Sequence, residues 1–222
     1  MIFDPPTYQG TGRKNSANKT HLQEQFNLKQ AAQNMSQAKT LTPAEIEQVL
    51  NYIGTRQFPL RNRVMLLAGL WSGMRVGEIA SLTLGDVRNK DGSIRAEVRL
   101  TAEQTKGRQP RTVFVPQKLQ NELAAYLAPW GELPDGHPLF VTCGGFAFSA
   151  NVMAQHFHYL FKRAGIAGAS SHSMRRSFIT NLATKGIGVR VLASLAGHRS
   201  IAVTQKYIDV NDDMMRNAVE LA

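Results

Sequence analysis

Apolar residues recur with a helical period over most of the chain that follows residue 41. The first such stretch, "LTPAEIEQVLNYI", offers Thr42 as an N-cap, Pro43 at the first helical position and Glu45 to complete a capping box. A helix is therefore predicted to begin there. The next stretch, "LRNRVMLLAGLWSG", is apolar almost all round, which indicates a central, buried helix.

The period changes in the middle of the chain. "SIRAEVRL" and "RTVFVP" alternate in the manner of short strands, and the Gly and Pro of "TAEQTKGRQP" between them indicate a turn. Helical spacing is seen before and after this hairpin, in "RVGEIASLTLGDV", "QKLQNELAAYL", "NVMAQHFHYLFKRAG", "SMRRSFITNLATKG", "VRVLASLAG" and "NDDMMRNAVELA". The pattern predicts an α+β fold that is mainly helical, with a small antiparallel β-sheet at one edge.

The first forty residues differ from the rest of the chain. They are polar, and "TYQGTGRKNSANKTH" has neither a helical nor a strand period. The following "LQEQFNLKQAAQNMSQ" has the residues to form a helix when docked on DNA or on a neighbouring subunit. We expect a flexible polar arm over residues 1–40 and, because neither a repeat nor a linker interrupts the remainder, one domain over residues 41–222.

The net charge of the chain indicates the kind of partner that it binds. The 26 lysines and arginines against 16 aspartates and glutamates give a net charge of +10 and an isoelectric point near 10.0. Such an excess favours a phosphate-rich partner, and nucleic acid is the first choice. Nonspecific contact with RNA or with anionic surfaces stays open as the alternative.

Other classes of protein are disfavoured by composition. A hydrophobic fraction of 43% suits a globular core, no apolar run approaches the roughly 20 residues of a membrane span, and the amino terminus lacks the order of a signal peptide. We therefore expect a cytoplasmic protein. The single cysteine, Cys143, has no partner for a disulfide or a zinc site, and no metal or cofactor is predicted.

Several basic residues stand where a phosphate could be held. Transfer of a phosphodiester places negative charge on the non-bridging oxygens, and arginines at helix starts are well suited to meet it. Arg75 follows a glycine break and opens a helix, with Glu78 one turn on as a brace for its guanidinium. An ordinary surface pair is the alternative for these two residues.

Similar arguments single out other positions. In "SSHSMRRSF", His172 lies beside an N-cap and Arg175 lies one turn into the same helix. Lys106 lies in the turn of the hairpin, and His198 follows Gly197 at a helix end. Each has a structural alternative: a capping histidine, a solvated arginine, a polar hairpin tip, or a packed histidine.

Taken together, these segments resemble the catalytic domain of the tyrosine recombinases, the phage integrase family. The resemblance covers residues 41–222 and depends on the order of "SGMRVGEIASLTLGDV", "QTKGRQPRTVFVP" and "HSMRRSFITNLATKGIGVRVLASLAGHRSIAVTQKYIDV". Glu78 matches the acidic residue that commonly follows the first family arginine. The resemblance implies the catalytic residues Arg75, Lys106, His172, Arg175, His198 and Tyr207.

What the resemblance implies is a site-specific recombinase that cleaves and rejoins DNA through a 3′-phosphotyrosyl intermediate, in integration, excision or inversion, without metal, ATP or another cofactor. In that chemistry Tyr207 attacks the scissile phosphate while the two arginines hold its oxygens and His198 adds a hydrogen bond. Lys106 protonates the departing 5′ oxygen, and His172 accepts or relays the tyrosine proton.

The resemblance also implies partners. We expect double-stranded DNA, and a homotetramer in the synaptic complex that is a monomer when free in solution. The usual DNA-binding domain ahead of the catalytic one is not seen, as in the short members of the family. Predicted DNA contacts are Arg108, Arg111, Lys162, Arg163, Arg176, Arg199 and Lys206.

The last predicted helix carries an apolar stripe. Its members are Met214, Met215, Ala218, Val219 and Leu221. In the family such a tail packs on a neighbouring subunit, and packing on its own domain is an equal alternative.

Two other functions remain possible at this stage. A type IB topoisomerase nicks and reseals DNA with similar residues, and a DNA-binding regulator or accessory factor could keep the fold without turnover. The context "LAGHRSIAVTQKY" and the small size favour the recombinase.

Overall fold

The computed structural model of the chain describes residues 38–208 and 212–220. Residues 1–37 of the predicted arm therefore lie outside the described residues. Two strands, β1 (Glu97–Leu100) and β2 (Arg111–Phe114), form the sheet of the described part. Its helices are α1 (Pro43–Gly54), α2 (Pro59–Ser72), α3 (Val76–Ala80), α4 (Leu84–Val87), α5 (Gln117–Leu127), α6 (Ala150–Arg163), α7 (Ser171–Ala183), α8 (Val189–Ala196), α9 (Ile201–Gln205) and α10 (Asp212–Val219).

The predicted fold class is confirmed: the chain is mainly helical with a small antiparallel sheet. The strands pair from Glu97 opposite Phe114 to Leu100 opposite Arg111, and Val98 and Val113 bury the inner face. None of the described helices is both long and apolar enough to cross a membrane.

Helix α1 begins where its capping sequence predicts. The Thr42 side chain accepts a hydrogen bond from the Glu45 amide, and the Glu45 carboxylate accepts one from the Thr42 amide at 3.0 Å. Helix α2 is central as predicted, because most of its residues are buried and it packs against α1, α5 and α7. It ends at Gly73, whose φ of 65° terminates the helix in the left-handed region.

The segment after Gly73 departs from the prediction of a single helix. Thr83 caps a separate short helix, α4, by pairing with Asp86, and it also bridges to Pro138 of a later segment. The added helix α9 was not predicted either. Ser200 caps it by accepting a hydrogen bond from the Ala202 amide.

Two groups of apolar residues stabilise the fold. The main core fills the space around α2 and extends to the sheet, α5 and α6, with Met65, Leu66 and Leu67 fully buried. A small second cluster lies between α7 and α8 and consists of Ile179, Ala183, Leu192 and Ala196. The segment that carries Tyr207 packs on this second cluster.

Candidate active site

Guanidinium groups from three parts of the chain meet at the carboxyl end of α8. The last carbonyls of a helix have no partner within it and form the negative end of its dipole, so they attract cations. Each arginine donates to one of three successive carbonyls: Arg111 to Leu195 (2.9 Å), Arg175 to Ala196, and Arg75 to Gly197 (3.2 Å). The helix end thus gathers three positive charges immediately before His198.

Glu78 braces two of these arginines from α3. Its carboxylate accepts hydrogen bonds from Arg75 Nη1 at 3.0 Å and from Arg111 Nε and Nη2 at 3.1 and 2.7 Å. The Glu78 side chain is only 1% exposed. Burial by itself raises the pKa of Glu78, but the hydrogen bonds and charges of Arg111 and Arg75 together bring it below its ordinary value. The brace is therefore ionised at neutral pH, and the structure pairs Glu78 with Arg75.

Arg175 is held deeper in the molecule. It is 5% exposed and donates to the Gly73 carbonyl at 2.6 Å as well as to Ala196. Glycine is required at position 73, because its φ is 65° and a Cβ there would lie 2.5 Å from the Phe178 ring. Burial, followed by the charge of Arg75, lowers the pKa of Arg175 to about 9, so the group is cationic at neutral pH.

His198 is oriented by a residue that sequence reasoning missed. Its Nδ1 lies 2.8 Å from the hydroxyl of Thr204, which is fully buried on α9. Burial, and then the charges of Arg175, Arg75 and Arg111, lower the pKa of His198 to about 4. The ring is therefore neutral at physiological pH, and its Nε2 remains for an anion.

A cavity of about 520 Å³ opens over Arg75, Arg111 and His198, whereas the buried Arg175 does not line it. Among the described residues its wall contains no carboxylate, and its basic members are Arg75, Lys106, Arg111, His198 and Arg199. The structure thus brings the predicted lysine into the same cavity as the first arginine and the second histidine. Such a wall suits a phosphate with developing negative charge.

The turn that carries Lys106 is held by hydrogen bonds. The buried Thr105 hydroxyl donates to the Gln109 carbonyl at 2.8 Å and accepts from the Gln109 amide at 3.1 Å. Arg199 donates to the Gly107 carbonyl at 2.7 Å, which ties the turn to the segment after α8. Lys106 itself is exposed, so its ammonium has freedom to reach a leaving oxygen.

Tyr207 lies beside the cluster but does not line the cavity. Its ring stacks on the His198 ring, with centroids 5.8 Å apart and planes 18° apart. Its backbone carbonyl accepts from the Thr180 hydroxyl at 3.1 Å, and the Arg176 guanidinium lies 5.7 Å from its ring. His172, in the first turn of α7, is exposed and does not line the cavity either.

The predicted DNA contacts divide into two groups. Arg111 is instead engaged with Glu78 and Leu195, and Arg176 donates to the Thr40 hydroxyl at 3.0 Å. Both are partly buried. The remaining basic side chains are exposed: Arg108, Lys162, Arg163, Arg199 and Lys206.

The bracing role of Arg111 had a signal in the sequence. Residues two apart on a strand share a face, so Arg111 belongs with Val113 on the buried side of β2. Gly197 leaves room for it, since a Cβ there would lie 2.7 Å from Arg111 Cδ.

In the described part of the chain, no group of three His, Cys, Asp or Glu side chains is placed to hold a metal ion.

Comparison with known proteins identifies the family. The model of the phage integrase family matches residues 39–214, which is most of the chain. The protein therefore belongs to the phage integrase family.

Known relatives agree with this assignment. The chain is 29% identical over 187 residues to the tyrosine recombinase XerA of Pyrococcus furiosus, a match that covers 83% of this chain and 62% of that protein. It is 32% identical over 185 residues to the tyrosine recombinase XerD of Halalkalibacterium halodurans, covering 81% of this chain and 60% of the relative. The chain thus spans less than two thirds of the length of these relatives.

The fold has solved counterparts. The crystal structure of XerA recombinase superposes with a TM-score of 0.67 at 24% identity, over 82% of this chain and 64% of that one. At this identity the likeness concerns the fold, and it agrees with the mainly helical domain and its small sheet.

Proposed function

We propose that this chain is the catalytic part of a site-specific DNA recombinase that cleaves and rejoins DNA strands through a 3′-phosphotyrosyl intermediate. The observation that carries the proposal is the convergence of Arg75, Arg175 and His198 at the carboxyl end of α8, beside Tyr207. Membership of the phage integrase family and similarity to tyrosine recombinases support it.

The cluster fits the charge that develops when a phosphodiester is attacked. Arg75 and Arg175 hold the two non-bridging oxygens, and His198 Nε2 donates a further hydrogen bond as a neutral ring. Each such preorganised donor contributes about 3 to 4 kcal/mol to lowering the barrier. Glu78 and Arg111 do not touch the phosphate in this proposal; they fix Arg75 in place.

The bond changes follow from the remaining residues. The Tyr207 oxygen forms a bond to phosphorus and loses its proton to His172, while the bond from phosphorus to the 5′ oxygen breaks. Lys106 protonates that 5′ oxygen from the hairpin turn. The phosphotyrosyl bond conserves the energy of the broken linkage, so a 5′-hydroxyl from another strand reverses the step and completes the exchange.

Binding to DNA rests on the exposed basic residues and on assembly. We propose that residues 41–222 form the catalytic domain, that residues 1–40 serve as an accessory arm, and that the active assembly is a tetramer. Helix α10 exposes Met215, Ala218 and Val219, which suits docking on a neighbouring subunit. Of the predicted stripe, Leu221 lies outside the described residues, and the side chain of Met214 is not among those described.

The proposal is tested by trapping the covalent intermediate. A library of nicked duplexes with randomised half-sites lets the protein select its own site, and covalent adducts are recovered on a denaturing gel and sequenced. We expect an adduct with the wild type, none with Tyr207→Phe, and a wild-type yield with the matched control Tyr126→Phe, which lines neither cavity. Tight DNA binding without any adduct would identify a regulator, and relaxation of supercoils without sequence preference would identify a topoisomerase.

A further inference from the structure

A second cavity, of about 540 Å³, lies between the loop that joins α1 to α2, the amino end of α2 and one face of α6. It shares no lining residue with the cavity of the candidate active site. Among the described residues its wall contains no carboxylate, and its basic members are Arg56, Arg61, His156 and Arg163.

Arg61 is the buried charge of this cavity. It is 8% exposed and donates to the Val141 carbonyl at 2.7 Å and to the Asn62 side-chain oxygen at 3.1 and 3.3 Å. Both acceptors are neutral, and no described carboxylate pairs with Arg61. A buried cation without a counterion is unfavourable, and a bound anion would relieve that cost.

The backbone adds positive potential at the same place. Helix α2 is 14 residues long and begins at Pro59, so Arg61 lies in its first turn, at the positive end of the helix dipole. Phe58 occupies the N-cap position with a φ of 58° and has no side chain that can cap the helix. The first amide groups therefore have no side-chain acceptor from the cap.

His156 offers a donor that the protein leaves unused. Its Nε2 is buried and has no hydrogen-bond partner among the described residues. Burial, and then the charge of Arg61, lower the pKa of His156 to about 4, so the ring is neutral at physiological pH. A neutral imidazole can donate one hydrogen bond to an anion.

We propose that this cavity is a second phosphate-binding site, in which Arg61, His156 and the amino end of α2 surround the phosphate while Arg56 and Arg163 attract it from the rim. The site offers guanidinium, backbone and imidazole donors, which suit a phosphate with several acceptor oxygens better than a carboxylate with two.

Two sources share this chemistry: a backbone phosphate of bound DNA, and a free nucleotide. That the phosphate belongs to bound DNA rests on the proposed function, and the position of the cavity relative to Arg75 favours it. A Cβ at Gly77, two residues after Arg75, would lie 3.5 Å from the side chain of Ala150, where α6 begins. Helix α6 rises about 1.5 Å per residue, so His156 lies about 9 Å further along its axis. The cavity and Arg75 are therefore linked through the packing of α3 on α6, which makes a phosphate of bound DNA the favoured source.

The test uses the whole chain of 222 residues and nuclear magnetic resonance of its histidine rings. Inorganic phosphate and a deoxynucleoside monophosphate are titrated separately, with the exposed His158 on the same helix as reference. We expect the His156 signals to shift and the His156 pKa to rise, while His158 changes little. Because Arg61→Met can unfold the chain, the variant is the rim double substitution Arg56→Gln, Arg163→Gln, which should weaken the His156 response at least tenfold.

The matched control is Arg99→Gln, which removes an exposed arginine that does not line either cavity. If DNA is the source, the rim variant also lowers the salt dependence of duplex binding, by about 0.9 in log–log slope for each phosphate that the protein no longer neutralises, and more than Arg99→Gln does. If a free nucleotide is the source, the rim variant and Arg99→Gln show the same salt dependence of duplex binding. The monophosphate then shifts the His156 signals at a lower concentration than inorganic phosphate does.

The proposal is overturned if His156 does not respond to either probe, or responds equally in the rim variant. A failure to form the covalent adduct would leave these histidine measurements unaffected, so the two proposals fail separately.

Discussion

The arginine cluster and the tyrosine segment meet at one site but are held in different ways. Arg75, Glu78 and Arg175 belong to the start of α3 and to α7, which pack on the main core around the largely buried α2. Tyr207 follows the five-residue helix α9, packs on the small cluster between α7 and α8, and stacks on His198. We call Arg75, Glu78 and Arg175 the cation side and residues 201–207 the tyrosine side. The cation side lies on elements that pack on the main core, whereas the tyrosine side packs on its edge.

Helix α9 shows the weaker attachment directly. Its apolar residues Ile201 and Val203 are 36% and 40% exposed, so its apolar side chains are less completely packed than those of α2. Two hydrogen bonds fix the segment instead, one between Thr204 and His198 and one from Thr180 to the Tyr207 carbonyl. This contrast fits an enzyme that keeps its phosphate site rigid and delivers its nucleophile when the site is occupied.

The largest expected effect comes from breaking the cation side. Arg175→Met removes the guanidinium that we propose holds the phosphate, and it leaves the Gly73 and Ala196 carbonyls without their partner. We expect the rate of adduct formation on a nicked duplex to fall by about 10² to 10³. Arg175→Lys should remain strongly impaired, because an ammonium cannot replace the planar fork. A rate within twofold of wild type for Arg175→Met would show that this side is not the phosphate site.

Glu78→Gln tests whether the cation side contributes to the stability of the fold. The substitution leaves Arg75 and Arg111 without their carboxylate, and loss of one partner of a buried pair lowers the free energy of unfolding by about 3 to 5 kcal/mol. Urea unfolding at neutral pH measures the change. Since the pKa of Glu78 is lowered in the folded state, its contribution is complete above the ordinary value of 4.5 and is lost as the pH falls through the folded value. The difference between wild type and variant should therefore shrink in acid; a difference that persists unchanged would contradict the ionised brace.

Thr204→Val probes the link between the two sides. It keeps the shape of the buried residue but removes the oxygen that contacts His198 Nδ1. We expect the adduct rate to fall by about tenfold, a loss near 1.4 kcal/mol in the barrier, with DNA affinity unchanged. Thr204→Ser, which retains the hydroxyl, is the matched control. Equal rates in the two variants would mean that the hydroxyl does not orient the ring.

The smallest effect is a shift in one titration. The pKa of His198 in the DNA-free protein should lie well below 6.5, near the value of about 4 set by burial and three arginines. Arg75→Gln removes one of these positive charges and should raise the pKa of His198. Nuclear magnetic resonance of the imidazole ring measures both values. If the pKa of His198 is unchanged in the variant, the charge of Arg75 does not act on the His198 ring.

Local signals in the sequence predicted much of the main core. The Thr42–Glu45 capping box lies within one turn of helix, and the all-round apolar pattern of α2 needs no knowledge of its neighbours. The pairing of Arg75 with Glu78 is also local, because residues three apart on a helix lie on one face. For these features the sequence pattern was sufficient.

The site required contacts that no local pattern contains. Helix α9 is too short for a period to emerge, and the role of Thr204 depends on where His198 lies. Arg111 was predicted as a DNA contact because basic hairpin residues are usually exposed. Its engagement with Glu78 follows from the face of β2 and from the approach of α3, which only the tertiary structure defines. The catalytic roles of all six residues stay predictions: Arg75, Lys106, His172, Arg175, His198 and Tyr207.

Hydrogen–deuterium exchange tests the contrast between the two sides most directly. In the DNA-free protein, backbone amides of residues 201–207 should exchange at least tenfold faster than those of residues 64–70 in α2. Binding of a nicked duplex to the Tyr207→Phe variant, which cannot react, should then slow exchange in 201–207 and leave α2 unchanged. Equal protection of the two segments without DNA, or no gain in 201–207 with it, would contradict a rigid phosphate site served by a delivered tyrosine.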